Sequence, residues 1–279
     1  MKHRIIVKFV FLIPFALKHR VKSNMRCLIK KTRQTTVAMV SVTIALMLFS
    51  SITSSNALIQ EFPSTSAHVE TIQLDHGGDS ERFLKVTEGN ADSIDSGARI
   101  WDSGRALSSW IAKELEPGKC VLELGAGTGI VGLTAAAKGA KSVILTDQPE
   151  MVPLLEQNIA SNDLSVNTKA VPLLWGCDQE ETISSLAEAS STMDGASTET
   201  PFFDVICGSD ILYSPENLPL LLDTIIQVCT PSKTEVVLAY PRRFTEDMFL
   251  ELAEEYFDIF PEEEIEPNIF LLRMHRRNI

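Results

Sequence analysis

Apolar residues from about residue 80 onward follow two kinds of spacing. Short, nearly continuous apolar runs predict buried strands, and longer segments with apolar positions at helical spacing predict helices. The predicted strands are 81–86, 119–125, 141–147, 167–175, 202–210, 234–240 and 266–276. The predicted helices are 101–115, 129–140, 149–163, 216–229 and 245–257, with Pro149 in the first turn of the third.

Apolar strands separated by helices are typical of a parallel sheet that is covered on both faces. The pattern therefore predicts an α/β fold, a doubly wound and mostly parallel seven-stranded sheet with helices on both faces. Residues 180–200 are small and acidic, and we predict a helical fragment and a mobile surface loop there. Ligands of such sheets bind beyond the carboxyl ends of the strands, so the chemistry is expected at that edge.

The start of the chain is predicted to be a targeting segment, residues 1–57. It is rich in Lys and Arg, and it contains no Asp or Glu. Its apolar run 37–49 follows basic residues and precedes small ones, as in a signal peptide, and is shorter than the roughly 20 residues of a membrane-spanning helix. We expect cleavage near Ala57, while a retained anchor and a true start at Met25 remain alternatives.

The rest of the chain is predicted to be a linker and N-terminal extension, 58–95, followed by the folded domain, 96–279. Four thiols in this part are widely spaced and mostly lie in apolar segments, which favours buried free cysteines and a reducing compartment. They are Cys120, Cys177, Cys207 and Cys229. A signal or bipartite organelle presequence leading to such a compartment satisfies both observations, and the final compartment stays open.

Charge restricts the partners. Residues 61–279 contain 15 basic and 37 acidic residues, a net charge of −22, which repels nucleic acid and attracts basic proteins. The acidic run 260–267 is either a solvated face or a rim that holds a basic substrate. We expect a monomer that binds no nucleic acid and whose N-terminal segment contacts a membrane only during targeting.

Three alternate glycines, Gly125, Gly127 and Gly129, follow the strand 119–125. Glycine tolerates positive φ and lets a ligand approach the main chain. Counted from Gly127, the spacing with Gly132 and Asp147 matches a dinucleotide site, which predicts an NAD(P)-dependent oxidoreductase. Counted from the end of the strand, the turn begins at Gly125, Glu123 precedes it, and Gly132 is a packing residue inside the helix. A tight turn without a ligand is the third alternative.

Other chemistries find little support in the sequence. The histidines lie outside the strand ends and no cysteine pair has metal-ligand spacing, so we predict no metal site. The stretch "CGSDI" lacks the G-x-S-x-G turn that presents a serine nucleophile. His275 is predicted to be a surface residue of the last strand.

Four stretches together carry a family resemblance: "RIWDSGRALSSW" (99–110), "ELGAGTG" (123–129), "LLWG" (173–176) and "DVICGSDILY" (204–213). Over about residues 81–276 the chain resembles family 16 of the seven-strand S-adenosylmethionine-dependent methyltransferases, which have a Rossmann-like fold and are mostly protein-lysine methyltransferases. The resemblance implies S-adenosyl-L-methionine as cofactor and a lysine side chain of a protein as substrate. A domain that binds the cofactor without catalysis is the non-enzyme alternative.

The resemblance also implies a set of site residues. Asp210 and Tyr213, from an Asp-x-x-Tyr stretch, face the methyl-transfer site, where Asp210 orients the amine and Tyr213 fixes the lysine stem. Position 209 is commonly Ala in such sequences and is Ser here, which adds a hydroxyl without blocking a pocket. The residues implied around the cofactor are Trp101, Glu123, Gly125, Ala126, Gly127, Gly129, Asp147, Trp175 and Ser209.

Each of these residues has a structural alternative. Asp147 is also placed to cap the helix predicted from Pro149. Trp101 and Trp175 are equally typical of a core, and Tyr213 of an aromatic residue that ends a strand. Asp210 has the strongest case, because an acid at the end of an apolar strand is costly unless it is solvated or paired.

Overall fold

A computed structural model describes residues 68–74, 82–89, 96–194 and 202–278. The predicted targeting segment, 1–57, lies outside these residues. In the described ranges, no helix combines the length and the apolar character needed to cross a membrane.

The described part of the chain contains strands, helices and one short 3₁₀ turn, Ser96–Ala98. The strands are β1 (Val69–Leu74), β2 (Arg82–Thr87), β3 (Cys120–Leu124), β4 (Ser142–Asp147), β5 (Thr168–Pro172), β6 (Val205–Ser209), β7 (Glu235–Pro241), β8 (Phe257–Ile259), β9 (Glu263–Glu266) and β10 (Ile269–Arg276). The helices are α1 (Asp102–Glu114), α2 (Ile130–Ala137), α3 (Val152–Ser161), α4 (Gln179–Asp194), α5 (Leu218–Val228) and α6 (Thr245–Ala253).

The central sheet has the order β5-β4-β3-β6-β7-β10-β8, with β9 paired to β10. Strands β3 to β7 are parallel, and the neighbours of β10 are antiparallel to it. The chain moves outward from β3 to β5 and then returns to place β6 on the other side of β3. The gap between the β3 and β6 ends is therefore the switch point at which open sheets of this type bind ligands.

Apolar side chains fill the space on both faces of the sheet. One layer includes Leu107 of α1 and Leu155 of α3, and the other includes Ile225 of α5 and Phe249 of α6, all of which are almost fully buried. Burial on both sides explains why the strands are continuous apolar runs rather than alternating ones. The predicted doubly wound, mostly parallel α/β fold is confirmed, with eight strands in the sheet of the described part.

A two-stranded hairpin, β1 paired with β2, lies in the segment predicted to be a linker. Two amides, one in α3 and one directly after it, hold the main chain of β2. Asn158 accepts from Thr87 N and donates to Thr87 O, and Asn162 pairs with Lys85 in the same way. The second strand of the hairpin, β2, is thus fastened to the folded domain.

The pattern misplaced several boundaries. A single helix, α4, covers most of 180–200, because Leu186 is buried in the core and the Ala and Glu residues around it favour helix. Helix α3 begins at Val152, so it is Pro153 and not Pro149 that lies in its first turn. The short strands β1, β8 and β9 were not predicted, since a few residues at a sheet edge leave little periodic signal.

The four thiols of the described part are free. Cys207 and Cys229 are buried, and burial raises the pKa of both. Their side chains pack as small apolar groups, as the sequence predicted.

Candidate active site

The loop after β3 contains three residues in the left-handed region, Gly125, Gly127 and Gly129, with φ of 61°, 56° and 80°. An L side chain adopts this region only with strain. Between them, Ala126 donates its N–H to Thr146 O at 2.9 Å, which fastens the loop to β4. The sequence therefore produces a rigid loop of bare main chain at the switch point.

Gly127 lies against another part of the backbone. A Cβ at this position would be 2.5 Å from Gly97 O, in the 3₁₀ turn. Even alanine is therefore too large at position 127, because its Cβ would collide with this carbonyl and because it disfavours the left-handed backbone conformation. The turn Ser96–Ala98 lies on the glycine loop and leads directly to Trp101 and α1.

Gly132 is a packing residue of the helix that follows the glycine loop. It lies inside α2 and donates its N–H to Glu123 Oε2 at 2.8 Å, and a Cβ there would be 2.2 Å from Leu145 Cδ2. It is thus a packing residue behind the loop. The turn begins at Gly125, directly after the end of β3 at Leu124.

Glu123 is buried beneath the glycine loop, with 1% of its surface exposed. Burial raises its pKa to about 8, and the nearby charge of Asp147 acts in the same direction. In the described structure its carboxyl supports α2 through Gly132. A direct contact of Glu123 with the cofactor stays a prediction.

Replacing Glu123 with Gln is expected to remove a pH dependence of stability. The folded state holds the Glu123 proton up to about pH 8, whereas an exposed Glu has a pKa of about 4.5, so the carboxyl favours folding at low pH. The wild type should therefore lose on the order of 3 to 5 kcal/mol of its free energy of unfolding between pH 4.5 and 9, relative to E123Q. Urea unfolding of both proteins across this range measures the difference, and parallel curves would contradict the assigned burial.

Asp147 ends β4 and is joined directly to the glycine loop. Its Oδ2 accepts from Gly127 N at 2.7 Å, and its Oδ1 accepts from Gln148 N at 2.6 Å. A carboxylate can accept about four hydrogen bonds, so these two are compatible with additional bonds to ribose hydroxyls. The alternative role as a helix cap is wrong, because the N-cap of α3 is Met151 and no side chain caps it.

Asn158 was not identified from the sequence. It is fully buried, and besides holding Thr87 it donates to Thr128 O of the glycine loop at 2.9 Å. One amide thus connects the hairpin, α3 and the loop. Its signal in the sequence is the pair Asn158 and Asn162, two amides four residues apart on one helix face.

The two predicted aromatic residues differ in exposure. Trp175 is half-buried, packs against the core, and approaches within 3.3 Å of the position that a Cβ on Gly125 would occupy. Trp101 has 46% of its surface exposed and stands at the start of α1. Trp175 is therefore part of the core and also borders the loop, while Trp101 is not a core residue. Contact of either ring with a cofactor stays a prediction.

Ser209 and Asp210 lie at the carboxyl end of β6. Ser209 Oγ is 3.3 Å from the Cβ position of Gly104, so the hydroxyl packs against the first turn of α1. Asp210 has a φ of 55°, and its N–H donates to Ala239 O at 2.9 Å. Tyr213, 54% exposed, follows three residues later. The structure thus brings Ser209 and Asp210 to the same edge as the glycine loop.

Arg243 is the second residue that the sequence analysis missed. Its guanidinium donates to Asp210 Oδ1 at 2.5 Å. Because β6 and β7 are parallel neighbours, the segments that follow them meet at one edge. The stretch "YPRRF" after the β7 pattern held this signal.

The chemistry of these groups fits S-adenosyl-L-methionine. Asp147 offers acceptors for a ribose diol, and the aromatic faces of Trp101 and Trp175 are suited to an adenine ring. Acidic groups at the edge suit a cation such as a sulfonium. Among the described residues no group of three metal-ligating side chains occurs.

Comparison with known proteins decides the family. A family model described as lysine methyltransferase matches residues 79–256, more than half of the chain. The chain belongs to this lysine methyltransferase family.

Individual relatives agree with this membership. EEF1A lysine methyltransferase 3 of Mus musculus is 30% identical over 72% of this chain and 85% of its own length. Protein N-lysine methyltransferase METTL21A of Xenopus tropicalis is 28% identical over 77% of this chain and 97% of its own. Histone-arginine methyltransferase METTL23 of Rattus norvegicus is 32% identical over 47% of this chain and 53% of its own.

The protein is therefore an S-adenosyl-L-methionine-dependent protein-lysine N-methyltransferase. The methyltransferase predicted from the sequence is confirmed, and the oxidoreductase alternative is wrong. The individual roles of the site residues stay predictions.

Proposed function

We propose that this enzyme methylates a lysine of a basic protein, with Asp210 binding the acceptor amine and Tyr213 beside the lysine stem. The observation that carries the proposal is the position of Asp210. Its side chain is 11% exposed, and it lies at the carboxyl end of β6 beside the switch point. A carboxylate at such an edge is a suitable partner for an amine that approaches from solvent.

The bound cofactor supplies a methyl group on a positively charged sulfur. The residues of the chain have to align an amine with that group, because alignment of the reactants is the main source of acceleration in such a displacement. Asp210 accepts a hydrogen bond from the amine and directs its lone pair. The exposed ring of Tyr213 offers a face that attracts the ammonium form before it loses its proton.

The acidic strand β9 supports a basic partner. Its exposed residues Glu263 and Glu266 follow Glu262, which accepts from Arg242 at the end of β7. The pairing of the strands places the acidic strand β9 near this end of β7. Ile269 of β10 pairs with Glu266 on one side and with Pro241, the last residue of β7, on the other. The acidic run therefore stands at the edge where β7 ends, as a rim would.

The names of the relatives suggest a first acceptor. Two of them, from Mus musculus and Xenopus tropicalis, are named EEF1A lysine methyltransferase 3. EEF1A and lysate proteins separated by isoelectric point are to be incubated with the full chain and labelled S-adenosyl-L-methionine. Mass spectrometry should place the label on lysines of basic proteins. Label confined to acidic proteins, or to arginine as the METTL23 name would suggest, would contradict the proposal.

Neutralising the rim is expected to weaken acceptor binding. The double variant Glu263→Gln/Glu266→Gln should raise KM for the labelled basic protein by about 3- to 10-fold at low salt, with kcat unchanged, because long-range attraction aids encounter more than chemistry. Initial rates at two salt concentrations measure this, since high salt screens the lost attraction and should reduce the difference.

The matched control is Glu114→Gln/Glu116→Gln. These exposed acids lie at the opposite edge of the sheet, before β3, and their replacement gives the same change in net charge. KM should stay at the wild-type value. An equal rise in both variants would show that overall charge, and not the rim, attracts the acceptor.

A further inference from the structure

The ion pair between Asp210 and Arg243 is the least explained contact of the site. Arg243 lies on the segment between β7 and α6, and its Nη1 is 2.5 Å from Asp210 Oδ1. The arginine side chain is 36% exposed and the carboxylate 11% exposed. A fixed positive charge thus stands beside the carboxylate that we assign to a cationic acceptor.

Both partners are held through their main chains. Arg243 N donates to Glu246 Oε1 at 2.9 Å, and Glu246 is 1% exposed. Asp210 N donates to Ala239 O of β7. Exposed ion pairs with free side chains contribute little, but this pair is built on two anchored backbones. Its geometry is therefore set before any acceptor arrives.

The neighbouring arginine has different partners. Arg242 donates to both oxygens of Glu262, at 3.1 and 3.2 Å, and stacks 3.9 Å above the ring of Phe270. The two arginine side chains donate to different acids, although Arg242 also lies 3.7 Å from Glu246 Oε1. Arg242 provides a matched control for the removal of one guanidinium from this segment.

The charges at the site create a chemical difficulty. Only a neutral amine has the lone pair for methyl transfer, and a lysine amine in water has a pKa near about 10.4. An adjacent carboxylate favours the ammonium form and raises that value, whereas an adjacent cation lowers it. Asp210 alone would bind the lysine and at the same time keep it protonated.

We propose that Arg243 is a positioning residue for methyl transfer: it holds Asp210 Oδ1 and offsets the carboxylate charge, so that the acceptor amine loses its proton. This inference rests on the proposed lysine-binding role of Asp210. The second oxygen of Asp210 is then free to accept a hydrogen bond from the amine in a fixed direction. The negative charge that the amine experiences is much smaller, because the guanidinium of Arg243 offsets it. With this ion pair, Asp210 can bind the acceptor lysine without keeping its amine protonated.

The step that Arg243 assists is balanced as follows. The acceptor ammonium first gives one proton to solvent. Its nitrogen lone pair then forms the N–C bond as the S–C bond breaks, and the electron pair of the broken bond stays on sulfur. The positive charge passes from sulfur to nitrogen, and the product leaves as the methylated ammonium, so that one proton is released in all.

Other titratable groups lie on the elements that neighbour β6 and β7 and on the segments that follow them. Asp210 and Arg243 are nonetheless each other's hydrogen-bonded partners, so removal of Arg243 changes the field at Asp210 most directly. The groups on the neighbouring elements are Asp102 and Arg105 on α1, Glu123 on β3, Asp147 on β4, Tyr213 after β6, Arg242 after β7, Glu246 and Asp247 on α6, and Glu262 before β9.

The test is the pH dependence of kcat for Arg243→Ala in the full chain. The assay uses saturating labelled S-adenosyl-L-methionine and the basic protein that carries most lysine label. Loss of the cation should shift the acid limb of the plot of log kcat against pH by about one pH unit toward alkaline pH. At any pH on that limb, kcat of R243A should then be about tenfold lower than that of the wild type. Arg243→Lys should restore the midpoint, though with a lower kcat because ammonium lacks the planar fork. Arg242→Ala should keep the wild-type midpoint.

Three results would overturn the inference. A lower kcat or stability of R243A without a shift in the midpoint means that Arg243 is only structural. A lower KM and a higher kcat mean that it blocks the acceptor. A wild type that labels no lysine overturns the proposed function and this inference together, whereas a lysine-labelling wild type with an unmoved R243A profile overturns this inference alone.

Discussion

Asp210→Asn is expected to lower kcat for methyl transfer by about 100-fold, because misplacement of a reactant by about 1 Å costs about this much. The amide no longer carries the charge that attracts the lysine, and it presents a donor where the amine needs an acceptor. Binding of S-adenosyl-L-methionine should be unchanged. Single-turnover rates and calorimetric titration with the cofactor measure the two quantities separately.

The choice of asparagine matters because Asp210 has a φ of 55°. Asn adopts this region more easily than Ala does, so D210A would add backbone strain to the loss of the carboxylate. Asp163 offers a matched control, since it is exposed, has a φ of 57° and lies beyond the end of α3. Asp163→Asn should leave kcat and stability at wild-type values. Unchanged transfer by D210N would remove Asp210 from the mechanism.

Gly127→Ala is expected to weaken cofactor binding by at least about tenfold, equivalent to 1.4 kcal/mol. The new Cβ would meet Gly97 O at 2.5 Å, and the left-handed backbone adds strain of about 1 to 2 kcal/mol. Relief requires the loop to move away from the 3₁₀ turn, and this movement breaks the bond from Gly127 N to Asp147. Calorimetry with S-adenosylhomocysteine and thermal unfolding measure both effects.

Gly118→Ala is the control that separates the backbone strain of a left-handed alanine from the collision of its Cβ with neighbouring atoms. Gly118 has a φ of 85°, a Cβ there meets nothing within 4 Å, and it lies before β3 at the other edge of the sheet. Its replacement should cost stability through conformation alone and leave cofactor affinity unchanged. If G118A and G127A lower affinity equally, the contact between the glycine loop and the 3₁₀ turn has no part in binding.

The fold was largely predictable because the central strands β3, β4, β6 and β7 are almost entirely buried and therefore form continuous apolar runs. Two parts of the site followed from the same pattern: the alternate glycines after β3 and the acids that end β4 and β6 converge because parallel strands bring their carboxyl ends together. The register of Gly132 followed from the end of the strand at Leu124, and the structure confirms it.

The missed residues have a common physical reason. The side chain of Arg243 reaches a carboxylate 33 residues away, and that of Asn158 reaches main-chain atoms 30 and 71 residues away. Periodicity does not report which acid or carbonyl a side chain reaches. The burial of Glu123 was hidden because an acid inside an apolar strand is visible in sequence but its depth is not. Helix α4 was underestimated because its small residues resemble those of a mobile loop.

The amide of Asn158 links the hairpin of β1 and β2 to the glycine loop after β3. A shortened protein that began at residue 96, the domain start that composition favours, would strip this buried side chain of two of its hydrogen bonds. The buried polar atoms of Asn158 would then lack partners, which would destabilise α3. The same helix holds the glycine loop through the bond from Asn158 to Thr128 O. The catalytic unit of this enzyme therefore extends upstream of α1, at least to β2, to which Asn158 is hydrogen-bonded.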